Sequence, residues 1–555
     1  MTDRISFRNE TFDSPTSGME SGALTKAYEF GVQRFSLVPL HPSDFALLAV
    51  SPAAILRRRA NSMPPRRLNR GEPELAADEK PDPIVDALTS GSTDPEPPAD
   101  EVHKGSTVGE APTGTPVAGR STLEAVTKGG PFGFLQILGP GLITGASDDD
   151  PSGIGTYSQV GSQFGYGFLW TALFTFPLMV AVQESCARIA LHTGVGLGTS
   201  LRRKFPTWLV GIAILALLGA NTINVGADIG AVAAGGQLLT SGGHKSGGIP
   251  AVWLVVPVTA LLLFLQFQVT YSLIFRLFKF LTLALFAYVV GAFIAHPQLL
   301  ELLKATVIPH FELTTPFITA FVAILGTTIS PYLFFWQASS EVDELKAAGG
   351  TTEKARRGIS RMELRAARTD VVVGMAFSQI VMYSIILTTA SVLNVHGITN
   401  IQTAQGAAEA LKQVAGPFAF VLFSLGIIGT GLLAIPILAA SGAYAVKEFF
   451  GVRGGLADKA RYRPFFYSVL ALGMLGGLAM NFLGIDPIKA LFATAVINGL
   501  VAPPLLILIT LLGSDRKVMG EHTSARLSKT FGWLTTAVMT LAAIALVFVT
   551  VRGAA

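Results

Sequence analysis

Residues 139–155 read Gly139-Pro140-Gly141-Leu142-Ile143-Thr144-Gly145-Ala146-Ser147-Asp148-Asp149-Asp150-Pro151-Ser152-Gly153-Ile154-Gly155. Apolar sequence continues on both sides, so the segment lies inside a hydrophobic run that reads as a membrane span over 132–163. A straight helix through it is costly. Proline removes a helix donor and disfavours helix at the preceding residue, and the glycines loosen the backbone. Three adjacent aspartates at membrane depth are expensive unless they face water, a cation or one another. These conflicts resolve together if the helix is interrupted at Asp150-Pro151, so that freed carbonyls and carboxylates line a cavity.

The rest of the chain supports a membrane setting. Of 555 residues, 50% are hydrophobic and 14% charged, against roughly a quarter charged in soluble domains; mean hydropathy is +0.51. Eleven spans are expected, near 132–163, 167–193, 207–239, 251–268, 271–295, 314–340, 369–394, 416–448, 465–483, 488–512 and 530–551. Residues 1–125 differ: they are rich in Pro, Glu, Asp, Gly, Ser and Thr, and read as a disordered arm preceding a transmembrane domain over 126–555.

Basic residues follow the even-numbered spans. Examples are Arg202, Arg203 and Lys204 after the second, Arg276 and Lys279 after the fourth, and Lys354, Arg356, Arg357, Arg361, Arg365 and Arg368 after the sixth. The loops after the odd spans are nearly bare. Positive loops stay in the cytoplasm, which puts the N-terminus inside, with a cell (inner) membrane as the expected location. The same placement explains the net charge of +4 without nucleic acid as a partner. Cys186 is the only cysteine, which excludes an intrachain disulfide and a cysteine metal cluster. No nucleotide loop, Ser/His/Asp set or zinc motif appears, so an enzyme is not expected, nor a resident cofactor.

The sixth span carries a matching interruption, Gly326-Thr327-Thr328-Ile329-Ser330-Pro331-Tyr332. Interrupted spans five helices apart point to an inverted-repeat transporter with its site at the midplane, spans one to five and six to ten being the repeats. Carboxylates and carbonyl oxygens at the break suit a cation. Asp150 is the leading candidate ligand. Asp149 and Asp148 are candidates for a second ligand or proton acceptor, followed by Ser330 Oγ and the backbone carbonyls of Ser147 and Thr327. Tyr332 is expected to pack, and Glu184 with Arg188, one helical turn apart, to form an internal ion pair.

With these residues in place, residues 130–550 resemble the natural resistance-associated macrophage protein (Nramp) family of metal transporters. The family's first-span motif, Asp-Pro-Gly-Asn after Gly-Pro-Gly, is matched by Asp150-Pro151-Ser152-Gly153 after Gly139-Pro140-Gly141. Its Met-Pro-His motif is matched by Ser330-Pro331-Tyr332 after Ile324-Leu325-Gly326. Val446-Lys447-Glu448-Phe449-Phe450-Gly451, Asp486-Pro487-Ile488-Lys489 and the run Ser514 to Glu521 resemble later family segments. The resemblance implies an all-α, LeuT-type fold of 5+5 helices plus one, and divalent cation transport, often proton-coupled. The departures imply a divergent branch. The motif asparagine falls on Gly153 and the methionine on Ser330, while the sixth-span histidines fall on Tyr332 and Gln337. Loss of the thioether shifts the expected preference toward cations that favour oxygen, such as Mg²⁺, Ca²⁺ and Mn²⁺. Asp228 aligns with a family acidic residue and is the expected proton carrier. The alternatives are a carrier of an organic solute such as an amino acid, against which the triple aspartate argues, and a non-transporting receptor.

Overall fold

The computed structural model describes residues 139–244, 247–268, 289, 292, 299–401, 419–456 and 458–554. The expected arm over 1–125 and most of the expected fifth span, 271–295, lie outside the described residues, so the total of eleven spans extends beyond what is described.

The described chain is helical. In order the helices are α1 Pro140–Asp148, α2 Pro151–Phe164, α3 Leu169–Thr193, α4 Leu197–Lys204, α5 Thr207–Thr240, α6 Ala251–Gln268, α7 Leu299–Val307 and α8 Thr315–Thr328. They continue with α9 Pro331–Ala347, α10 Glu353–Arg356, α11 Arg361–Val392, α12 Ala419–Phe450, α13 Pro464–Met480, α14 Pro487–Ser514, α15 Arg516–Met519 and α16 Arg526–Ala554. Among the described residues, eight continuous helical stretches are long and apolar enough to cross a membrane, and α13 is a shorter apolar helix. The bundle's exterior is apolar: Trp208, Ile212, Leu215, Leu472 and Leu541 are all more than 60% exposed. Such a surface is stable against lipid and not against water. The protein is a multi-pass integral membrane protein.

Both expected interruptions are present and are built alike. α1 ends at Asp148; Asp149 (φ −89°, ψ 49°) and Asp150 (φ −65°, ψ 171°) are non-helical, and Pro151 opens α2. α8 ends at Thr328; Ile329 (φ −117°, ψ 55°) and Ser330 (φ −71°, ψ 126°) are non-helical, and Pro331 opens α9. Proline fits the first helical position because its missing N–H lacks an intrahelical partner there anyway. It also forces the preceding residue out of the helical region. The repeated dihedral pattern is the local signature of the two structural repeats.

Glycines allow the broken helices to approach their neighbours. A Cβ on Gly145 of α1 would overlap the backbone of Gly374 in α11, and one on Gly326 of α8 would overlap the backbone of α14 at Ala495 and Gly499. Asp370 of α11 adds a polar anchor. Its carboxylate accepts from the backbone N–H groups of Gly139 (2.9 Å), Gly141 (2.6 Å) and Leu142 (3.2 Å), which caps α1.

The basic loops share one face. Arg203, at the end of α4, forms a two-pronged pair with Glu353 of α10 (2.7 and 3.0 Å), and Arg357 joins the same carboxylate at 2.6 Å. Lys204 pairs with Asp515 after α14, and Arg202 donates to the Phe449 carbonyl at the end of α12. Loops after the second, sixth, eighth and tenth spans therefore converge, as the charge alternation requires. The expected Glu184–Arg188 ion pair forms and reaches further: Arg188 donates to the Thr523 carbonyl (2.9 Å), and Ser528 Oγ to Glu184 (2.8 Å), docking α16 on α3.

Candidate cation site

The α1–α2 break lies in the protein interior. Asp148 and Asp149 are 0% exposed, Asp150 is 1%, and Ser147, Thr327, Ser330 and Asp228 are no more than 2%. In this arrangement the break is shielded from solvent.

The three aspartates diverge. Asp150 caps α2: its Oδ1 accepts from the Gly153 backbone N–H and from Ser152 Oγ, each at 2.7 Å. Its Oδ2 accepts from Asn224 Nδ2 on α5 at 3.0 Å. Asp148 turns toward α11, where Ser378 Oγ donates to its Oδ2 at 2.8 Å. Both carboxylate oxygens of Asp149 are buried without a hydrogen-bond partner, as is Asp148 Oδ1. Among the described residues, no three or more His, Cys, Asp or Glu side chains converge in a way that holds a metal. A cation at this break would therefore be held by a carboxylate with neutral oxygens.

The second break contributes less than its sequence promises. Ser330 Oγ donates to the carbonyls of Gly326 (3.0 Å) and Thr327 (2.6 Å), on its own helix. The Thr327 carbonyl is thereby occupied from one side. The Ser147 carbonyl accepts from Tyr332 OH at 2.6 Å, so Tyr332, expected only to pack, ties α9 to α1 across the site. A second tie lies further along the seam, where Thr144 Oγ1 donates to Gln337 Oε1 at 2.6 Å. Gly153 sits at a close approach of the two breaks. A Cβ there would stand 3.2 Å from both the Asp148 carbonyl and Thr327 Oγ1, and 3.3 Å from the Tyr157 ring. Asp228 of α5 lies within electrostatic reach of Asp150 and near the Ser152 backbone N–H, without a hydrogen bond of good geometry to either carboxylate oxygen.

Two contributors escaped the sequence reading. Asn224 precedes Asp228 by one helical turn, so the polar pair on one face of an apolar span was a usable signal. Ser378 gave none, since a lone serine in a span reads as a small packing residue. An apolar cleft of about 580 Å³ lies between α3, α7 and α11. It is lined by Leu173, Phe176, Leu302, Ile380 and Tyr383, among others, and contains none of the site residues.

Two like-built helix breaks in a membrane bundle, one holding a buried carboxylate, define a transporter of the inverted-repeat type. The architecture matches solved structures: the Eremococcus coleocola manganese transporter, determined with an aromatic bis-isothiourea substituted compound, superposes with a TM-score of 0.59 at 18% identity, over 76% of this chain and 88% of that one. Residues 141–549 match the family described as natural resistance-associated macrophage protein-like, and the chain belongs to that family. Curated relatives include the divalent metal cation transporter MntH of Deinococcus radiodurans, 27% identical over 412 residues (73% of this chain, 88% of the relative). The MntH of Caldanaerobacter subterraneus subsp. tengcongensis is 24% identical over 427 residues (76% and 94%).

Proposed function

We propose that this protein is a secondary transporter of divalent metal cations, and that Asp150 is the principal protein ligand of its cargo. The observation that carries the reading is the Asp150 carboxylate, buried at an interrupted helix and fixed through Oδ1 by the start of α2, with Oδ2 directed at α5. The names of the relatives, divalent metal cation transporter and manganese transporter, support the same cargo class.

In this reading Asp148 and Asp149 add negative potential on the α11 side, and Asp149 supplies a further ligand when the break rearranges. The carbonyls of Ser147 and Thr327 and the hydroxyl of Ser330 become available when the Tyr332 and Ser330 hydrogen bonds open. Oxygen donors without sulfur favour Mg²⁺ or Mn²⁺ over softer ions. Proton movement, where it accompanies transport, runs through Asp228, since no described helix places a histidine at the break. The face carrying Arg202, Arg203 and Lys354 is cytoplasmic, as are the N-terminal arm over 1–125 and the N-terminus, in a cell (inner) membrane. The domain over 126–555 performs transport in the lipid bilayer, with no resident cofactor.

The test is reconstitution. Proteoliposomes should accumulate Mn²⁺ or Mg²⁺ down an imposed gradient and should not take up amino acids. Amino-acid uptake without metal uptake would support the organic-solute carrier instead, and no uptake of either would support a receptor.

A further inference from the structure

Asn224 sits in the middle of α5, 0% exposed, with its Nδ2 at 3.0 Å from Asp150 Oδ2. Its Oδ1 is buried and has no hydrogen-bond partner. A buried carbonyl oxygen without a donor is unfavourable, and native structures rarely retain one without a use. One turn further along the same helix face stands Asp228, also 0% exposed, with both carboxylate oxygens in the same condition. Meanwhile the second break turns its own hydroxyl away: Ser330 Oγ is directed at the carbonyls of Gly326 and Thr327. Gly153 offers no side-chain oxygen at all. Unsatisfied oxygen is thus present on the α5 side of Asp150 as well as at Asp148 and Asp149, and on α5 it includes a neutral carbonyl oxygen already next to the Asp150 carboxylate.

We propose that Asn224 is a further ligand of the transported cation, donating to Asp150 through Nδ2 in one orientation of its amide and coordinating the cation through Oδ1 in the other. The two ends of a carboxamide are nearly isosteric. A half-turn about the last side-chain bond therefore exchanges them without a change in volume. In the turned orientation Oδ1 faces the Asp150 carboxylate, and two oxygens repel unless a cation lies between them. The cation itself drives the turn, and the amide reverts when the cation leaves. A neutral carbonyl ligand adds coordination without adding charge, which suits oxygen-seeking cations.

The inference rests on the proposed transport function, and the experiment separates the two. Full-length wild type, Asn224→Leu, Asn224→Ala and Asn224→Asp are reconstituted, and Mn²⁺ uptake is resolved into KM and kcat, with Mn²⁺ binding followed by calorimetry. Loss of the amide oxygen in the Leu and Ala variants should raise KM and Kd at least tenfold. Ala only removes atoms and covers the case in which Leu does not fit. Asn224→Asp keeps an oxygen ligand and loses the donor, so its KM should rise clearly less than that of Asn224→Ala. Wild-type KM in the Ala variant would overturn the proposal. So would an Asp variant impaired as severely as Ala, because the amide would then act only as a donor that positions Asp150. Absence of both Mn²⁺ and Mg²⁺ binding and uptake by wild type would overturn the transport reading, and this inference with it.

Discussion

Asp150 combines two roles that a pair of substitutions separates. In Asp150→Ala, α2 loses its cap, worth about 1 kcal/mol. The Asn224 amide also loses its acceptor, and a buried polar group left unpaired costs about 1–3 kcal/mol. The sum, roughly 2–4 kcal/mol, is a substantial part of the stability typical of a folded domain, ~5–15 kcal/mol. This variant should fold and melt at a visibly lower temperature. Asp150→Asn is different. Its side-chain oxygen can still receive the Gly153 N–H and Ser152 hydroxyl, now at 2.7 Å, and its new NH₂ meets Asn224, whose amide can turn to accept. The fold should lose under about 1 kcal/mol, within the range of one ordinary hydrogen bond. Transport should not survive, because removing one member of a buried charge pair costs about 3–5 kcal/mol. At about 1.4 kcal/mol per factor of ten, uptake at low Mn²⁺ should fall by roughly two to nearly four orders of magnitude. The assay is initial-rate uptake of radiolabelled Mn²⁺ at matched protein density, with a thermal melt of each variant. Uptake by Asp150→Asn within threefold of wild type would refute the assignment of the carboxylate charge to cation binding.

Other perturbations test other links. Gly145→Val should prevent stable folding, because the side chain enters the Gly374 backbone; size-exclusion profiles of the detergent-purified variant check this. Cys186 is buried, so single cysteines report topology against a quiet background: Lys354→Cys should label only from the cytoplasmic side and Val395→Cys, 70% exposed in the wild type, only from outside. Ser330→Met should raise affinity for Cd²⁺ relative to Mn²⁺ by supplying a soft donor, at a packing cost of about 1–3 kcal/mol; competitive uptake measures the ratio. Arg203 and then Arg357 hold the Glu353 carboxyl down at about 2, against an ordinary value of 4.5. Because the folded-state value is depressed, the tie between α4 and α10 is complete above about 4.5 and is lost as pH falls through about 2. Glu353→Gln should lower the melting temperature slightly at pH 7, as exposed pairs contribute ~0.2–1 kcal/mol, and the difference from wild type should shrink as pH falls toward about 2.

Much of this architecture was legible because it follows from one-residue rules. Pro151 and Pro331 announce both breaks, since proline disfavours helix at the residue before it, and the structure ends α1 and α8 three residues ahead of each proline. The alternation of Arg202, Lys354 and their kin gave the sidedness that the Arg203–Glu353–Arg357 cluster realises. Side-chain direction was not legible. Three consecutive aspartates look like one cluster, yet Asp148 points to Ser378 on α11 and Asp150 to Asn224 on α5. Around a broken helix there is no fixed periodicity from which to infer direction. Asp150 was legible as a candidate ligand but not as the acceptor of three hydrogen bonds. Ser330 looked like a free hydroxyl, whereas a serine just past a helix end readily bonds back to that helix's last carbonyls.

The most direct test of the account is to locate the cargo. Crystals grown or soaked with Mn²⁺ and measured near its absorption edge should give an anomalous peak beside Asp150 Oδ2, between the start of α2 and Asn224 on α5. A peak away from the α1–α2 break, with none at Asp150, would contradict the central claim that this carboxylate holds the transported cation.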